Sequence, residues 1–388
     1  MSFDFDRIIP REGTAALKWD GRKSVFGTED VIPLWVADMD FAVPEAVSQA
    51  LAARAAHPVY GYSLFPDDVY ESLIGWLRAR HQWPVERDWI MMAPGVVPSL
   101  HAAVLAFAAA GEGVIVQPPV YFPFFSAVTT TGRRLVENPL IYEAGRYRID
   151  FDHLEQCAAD ARMLILCSPH NPVGRVWSED EQRELLRIAR KHKLVVLSDE
   201  IHHDLIYPGQ RHIPLATLAD DGDDIVTAVA PSKTFNIPGL GLSALVASKP
   251  EQREKLRRAF DLLHVSGANP FSITAFSAAY QHGAAWLDAL MPYLAESRDE
   301  VATTLAREAP AIRVVAAEGT YLLWLDCREL GMSDAALNRF FIERARLGMS
   351  PGSLFGQGGG GFMRLNLGAP RSVIREATHR LVGAVKGI

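Results

Sequence analysis

Three polar side chains of the 388-residue sequence stand just beyond three strand-like runs. Asn171 follows Met163-Leu-Ile-Leu-Cys167, in the segment Ser168-Pro-His-Asn-Pro-Val-Gly174. Asp199 follows Leu194-Val-Val-Leu197, and Lys233 follows Ile225-Val-Thr-Ala-Val229, in Ala230-Pro-Ser-Lys-Thr-Phe-Asn236. Singly, each has a plain explanation, as a solvated loop lysine or a carboxylate capping a turn. If the three strands are parallel neighbours, however, the side chains meet at one edge of the sheet, where α/β folds gather their ligands. An amine, a carboxylate and a carboxamide so placed suit pyridoxal phosphate chemistry. The amine forms a Schiff base with the aldehyde, the carboxylate keeps the pyridine nitrogen protonated, and the amide steadies the phenolic oxygen. Once displaced by a substrate amine, Lys233 is placed to act as the base at the substrate α-carbon.

Two further charges need partners, a phosphate and a substrate carboxylate. Ala93-Pro-Gly-Val-Val-Pro-Ser99 precedes a helical stretch expected from Pro98 to Ala110, with Pro98 in its first position. Gly95 lets the chain turn there, the N–H groups from Val96 onward face an anion, and Ser232 adds a hydroxyl beside the lysine. In Phe362-Met-Arg-Leu-Asn-Leu367, period-two alternation sets Met363, Leu365 and Leu367 toward the core and Arg364 on the other face. A guanidinium there can grip a carboxylate through two parallel hydrogen bonds, although a surface arginine on an edge strand has the same pattern.

The elements around these residues read as an α/β protein. Strand-like Gly113–Gln117, Met163–Cys167, Leu194–Ser198, Ile225–Val229 and Leu242–Ala247 are spaced by helical patterns, one opened by the capping box Ser178-Glu-Asp-Glu181. From about Glu251 the pattern changes to helices over 251–265 and 284–307, strands over 312–315 and 321–326, and a helix near 333–346. The tract Gly356-Gln-Gly-Gly-Gly-Gly361 reads as a flexible loop leading into strand 362–367. The expected division is an N-terminal segment (1–44) joining the small domain, a large domain (45–285) with a mostly parallel sheet, and a small α+β domain (286–388).

Composition narrows the class. Lys and Arg total 39 against 46 Asp and Glu, a net charge of −7 with no basic block, which disfavours nucleic acid and acidic membrane surfaces. The longest apolar stretch, around Val96–Ala110, is too short to span a membrane. Three sparse cysteines and an acidic N-terminus without a signal-peptide pattern lead us to expect a cytoplasmic enzyme. No metal is expected at Asp199-Glu-Ile-His-His-Asp204. In extended chain His202 and His203 point to opposite sides, and Glu200 and His203 read as structural.

Read in order, the segments around Asn171, Asp199, Lys233 and Arg364 resemble fold-type I pyridoxal phosphate enzymes of the aminotransferase class I/II superfamily. Leu34-Trp-Val-Ala-Asp-Met-Asp-Phe41, Tyr60-Gly-Tyr62 and Asp199-Glu-Ile-His202 resemble, more closely, the MalY/PatB-type cystathionine β-lyases, or C–S lyases. The likeness runs from about residue 3 to residue 380. It implies that Lys233 carries the cofactor, Asp199 meets its pyridine nitrogen, Asn171 lies near its phenolic oxygen and Tyr121 stacks on its ring. It implies phosphate contacts from Gly95, Val96, Ser232 and, across a homodimer with shared active sites, Tyr62. Arg364 would hold the carboxylate of an amino-acid substrate, and Trp35 would wall the pocket. The implied reaction is β-elimination from cystathionine or another cysteine S-conjugate, the alternative being transamination between an amino acid and a 2-oxo acid. Two positions depart from the aminotransferase pattern. Gly241 stands where many have a phosphate-binding arginine, and His202 stands where a tyrosine is common.

Overall fold

The computed structural model describes residues 3–265, 267 and 269–388. Among these residues a seven-stranded sheet is built from β1 (Ile90–Ala93), β2 (Gly113–Val116), β3 (Arg134–Glu137), β4 (Met163–Cys167), β5 (Val195–Asp199), β6 (Asp224–Val229) and β7 (Ser243–Val246), in the spatial order β1-β7-β6-β5-β4-β2-β3. The run β6-β5-β4-β2-β3 is parallel, and β7 lies antiparallel between β1 and β6. β1 and β3 are the strands that the residue pattern did not announce. β3 has charged Arg134 and Glu137 at its ends and no buried residue, and β1, Ile90-Met-Met-Ala93, is apolar throughout but only four residues long with Met91 and Met92 half-buried.

Both faces of this sheet are covered, which is why its central strands are apolar throughout instead of alternating. Met163, Ile165 and Cys167 of β4 pack with Val195 and Leu197 of β5 under helices 96–107 and 250–263. Leu164, Leu166 and Val196 face the opposite layer, with Leu154 and Leu185 from helices 151–158 and 179–192. The second of these helices opens with the expected capping box, Ser178 and Glu181 bonding each other's backbone N–H. Helix 96–107 starts two residues before its expected position, so Pro98 is third, not first. The first turn leaves its N–H groups without helical partners, so proline is tolerated there too.

A second sheet contains β8 (Arg313–Val314), β9 (Leu322–Asp326), β10 (Ser350–Pro351) and β11 (Phe362–Asn366), ordered β8-β9-β11-β10 with antiparallel neighbours. The strand carrying Arg364 is therefore an inner strand, and all five of its residues are buried. The N-terminal segment adds a short parallel pair, Ile32–Pro33 against Leu347–Gly348. The helix expected over 333–346 ends at Arg339 and widens into one π turn, Phe340–Arg344. No helix among the described residues is long and apolar enough to cross a membrane.

The glycine tract before β11 is a close backbone crossing and not merely a loose connection. Gly352 lies against Gly359, and a Cβ on Gly352 would run into the Gly359 carbonyl oxygen and into backbone at Phe362. Because the obstacle is main chain, side-chain rotation cannot relieve it. Gly352→Ala should lower stability by about 2 kcal/mol, read as a fall in the midpoint of urea unfolding. An unchanged midpoint would mean that the crossing is slack.

Candidate active site

Parallel pairing decides where the polar groups meet. Cys167, Asp199 and Ala228 are in register across β4, β5 and β6, so the segments that follow leave the sheet side by side. Asn171, Asp199 and Lys233 thus share the carboxyl edge of the sheet. Gly95, beyond the end of β1, joins the same edge because Ala93 is paired with Ser243 and Ala244 with Val229.

The first two charges of the edge are strongly perturbed. Asp199 is 3% exposed, and its nearest donor is the Ile201 N–H at 3.4 Å. Burial lifts its carboxyl to about 7, against an opposing pull from that N–H and from Lys233. Burial also presses the Lys233 ammonium down to about 8, aided by the Arg364 charge and opposed by Asp38 and Asp199. The Lys233 Nζ donates to the Ala37 carbonyl at 2.7 Å.

Arg364 is buried as well, at 3% exposure, and burial lowers it to about 10. Its guanidinium donates to three neutral acceptors: Asn171 Oδ1 at 3.1 Å, the Trp35 carbonyl at 2.6 Å and Ser350 Oγ at 3.3 Å. Its Nε has no partner, and among the described residues no carboxylate is within ion-pair distance. A buried cation without a counter-ion is costly unless an anion arrives. Trp35 is half-buried; its indole N–H donates to the Lys18 carbonyl at 3.0 Å and its ring meets Phe26 edge-on.

Residue patterns gave no sign of how much the N-terminal segment does here. Ala37 O accepts from Tyr321 Oη at 2.8 Å in addition to Lys233. Asn366 Nδ2 donates to the Val36 and Asp38 carbonyls, and Asn236 bonds the backbone of Met39 and Phe41. Behind the segment, fully buried Lys18 reaches Asp40 at 2.7 Å, and Arg11 pairs with Asp38 and Asp40. The acidic pair Asp38 and Asp40 was visible in the sequence, but its cations lie about 20–30 residues away with no periodicity linking them.

The remaining expected residues fall into two groups. Tyr121, His202, Gly95, Val96 and Ser232 lie on the elements that line this edge. Tyr121 N–H donates to the Asn171 carbonyl at 3.1 Å, and burial raises its phenol. His202 is buried, its Nδ1 has no partner among the described residues, and burial holds the imidazole neutral well below its ordinary value. Gly95 precedes helix 96–107 at φ +135°, a conformation that favours glycine, and no side chain caps this helix. Gly241, the departure noted above, has φ +28° and lies so close to Pro94 that a Cβ would approach the Pro94 carbonyl to 3.2 Å. Tyr62 stands apart, fully exposed on the surface near exposed Val59, Tyr60 and Leu64.

These residues fit pyridoxal phosphate. A protonated ring nitrogen would give the buried Asp199 carboxylate the donor it lacks, and the uncapped helix start suits a phosphate. The chain belongs to the aminotransferase class I and II family, whose model matches residues 29–381. Among characterised relatives it is 40% identical to cystathionine β-lyase PatB of Bacillus subtilis (strain 168), over 98% of this chain and all of that one. It is 33% identical to protein MalY of Escherichia coli (strain K12), with both chains covered in full. The crystal structure of cystalysin from Treponema denticola, which contains a pyridoxal 5'-phosphate cofactor, superposes with a TM-score of 0.97 at 38% identity, covering both chains completely.

The raised Asp199 value has a measurable consequence in cofactor-free protein. A carboxyl at 3.8 when unfolded and about 7 when folded stabilises the fold below about 4, and loses that contribution as pH rises through 7. The difference in unfolding free energy between the native protein and Asp199→Asn should therefore move against the native protein from pH 4 to pH 8. A pH-independent difference would mean that Asp199 is solvated in the free protein.

Proposed function

We propose that the protein is a pyridoxal 5'-phosphate-dependent C–S β-lyase, cleaving L-cystathionine or a related cysteine S-conjugate to a thiol, pyruvate and ammonia. The observation that carries this reading is the convergence of half-buried Lys233 and buried Asp199 on one sheet edge with Arg364, a buried cation without a carboxylate partner among the described residues. The names of two relatives, cystathionine β-lyase PatB at 40% identity and a cystathionine β-lyase of Corynebacterium glutamicum at 29%, support the reaction type over transamination.

The cofactor, when bound, supplies an aldehyde that takes up amines and a ring that accepts the electrons of a broken bond. Lys233 carries it, and Asp199 pairs with its ring nitrogen. The Asn171 amide, whose oxygen is occupied by Arg364, presents its NH2 group to the phenolic oxygen. Neutral His202 adds a ring nitrogen beside it, and Tyr121 covers the ring. Gly95, Val96 and Ser232 receive the phosphate, with no arginine at Gly241. Arg364 turns toward the substrate carboxylate, and Trp35 bounds the pocket through its fixed indole. Lys233 Nζ, its basicity lowered by burial, would take the Cα proton of the bound substrate. With the sulfur leaving on its own electron pair, the products after hydrolysis would be a thiol, pyruvate and ammonia.

Three further readings belong to the same proposal. The protein acts as a homodimer in which exposed Tyr62 completes the phosphate site of the second subunit. It works in the cytoplasm, and its three unpaired cysteines suit a reducing compartment. The large unit spans 45–285, with 1–44 and 286–388 forming the smaller one.

Incubation of the purified holoenzyme with cystathionine and no 2-oxo acid should release pyruvate and thiol over many turnovers. A single equivalent of product, with the cofactor left in its amine form, would instead make it an aminotransferase. Lys233→Ala should reduce turnover by about 1000-fold or more and remove the lysine-linked cofactor absorbance. Mixing inactive Lys233→Ala and Tyr62→Ala chains should restore about a quarter of native activity, since half the dimers regain one intact site. No recovery on mixing would refute shared sites.

A further inference from the structure

Behind the sheet edge, on the far side of the loop that carries His202, five titratable side chains are buried together: His81, Glu200, His203, Asp204 and His212. The loop 201–204 sends His202 toward Tyr321 and His203 the other way, as the divergence of neighbouring side chains requires. The sequence argument against a metal stopped at that divergence. The fold then supplies what the local sequence lacks: His81 from the end of helix 67–81 and His212 from the segment before Leu215.

The ligand atoms of Glu200, His203 and His212 lie within 4.8 Å of one another, as do those of His81, His203 and Asp204. His203 is common to both sets. It is completely buried, yet neither ring nitrogen makes a hydrogen bond among the described residues. Its Nε2 is 3.2 Å from Asp204 Oδ2 without hydrogen-bond alignment. A fully buried imidazole whose Nδ1 has no partner and whose Nε2 meets only this misaligned carboxylate is under-satisfied.

The two carboxylates are equally distinctive. Glu200 is bonded to His212, Ser198 and the Leu215 N–H, and Asp204 to Trp76, His81 and Thr234. Among the described residues no lysine or arginine pairs with either. The cluster thus gathers carboxylate and imidazole donors without a cationic side chain from outside it.

We propose that Glu200, His203 and His212 bind one divalent transition-metal ion of the zinc class. A His₂–carboxylate set is an ordinary donor set for such an ion. Glu200 Oε2 and His212 Nε2 are hydrogen-bonded at 2.9 Å, and a bound ion would take the place of that proton between them. Glu200 Oε1 accepts from Ser198 Oγ at 2.7 Å and Leu215 N–H at 3.0 Å, the outer contacts that orient a metal-binding carboxylate. The set is sealed from solvent, and with three protein donors it leaves the fourth tetrahedral position to an enclosed water. It is a brace between elements, since Glu200 directly follows Asp199. Asp204, beside the site, bonds Thr234 next to Lys233 at 2.8 Å. The inference does not depend on the lyase reading.

The test uses tag-free holoenzyme, stripped with a chelator and supplied with Zn²⁺ or Co²⁺. About one equivalent of metal per chain should remain after gel filtration, and the Co²⁺ form should show the intense d–d absorption of a tetrahedral site. His203→Ala should lose both, while His57→Ala, which removes an exposed imidazole, should keep them. Metal below a tenth of an equivalent in the native protein, with no d–d bands, would overturn the site. Because the native protein alone decides this, a variant that fails to fold does not cloud the result.

Discussion

The structure is organised around a shortage of counter-charge. Asp199 and Arg364 are withdrawn from water at one sheet edge beside half-buried Lys233, and among the described residues none of the three is fully paired. Such an arrangement survives only if the surrounding scaffold fixes the groups and something bound satisfies them. The two covered faces of the sheet supply the fixing, because interlocked apolar strands leave Asp199 and the neighbouring loops no freedom to reach solvent. What the fold withholds from these residues, a cofactor ring nitrogen and an amino-acid carboxylate can provide.

The same logic explains which parts were legible from residues alone. Met163–Cys167 was read to the residue, and Leu194–Ser198 to within one, because doubly covered parallel strands are uninterrupted apolar runs. The capping box at Ser178 needed only local chemistry. Arg364 was placed on the correct face, but its inner position in the sheet depends on Ser350–Pro351, two residues that carry no strand signal. Edge strand β3 has charged ends and no buried residue, and edge strand β1, Ile90-Met-Met-Ala93, is too short an apolar run to stand out. The tract 356–361 looked loose in composition alone, whereas its glycines are selected by a neighbouring backbone at Gly352.

Contacts between distant segments were the least readable. The N-terminal segment 35–41 has no regular structure, so no periodicity announces it. It is held by Asn236 and Lys233 from one side and by Tyr321, Arg364 and Asn366 from the other. These five residues come from the two sheets' separate stretches of chain, and the short segment between them is the common seat. The buried histidine–carboxylate cluster is similar in kind. Its members span residues 81 to 212, and only folding brings them within bonding range.

One detail of that seat has an unusual genetic consequence. The oxygen that receives both the Lys233 amine and the Tyr321 hydroxyl belongs to the peptide bond of Ala37 and not to a side chain. Alanine scanning leaves that atom untouched, and so does nearly every codon change at position 37. Exchanging the amide for an ester by chemical ligation would weaken the acceptor while keeping every side chain. The resting place of the lysine is thus written into the main-chain path, beyond the ordinary reach of point mutation.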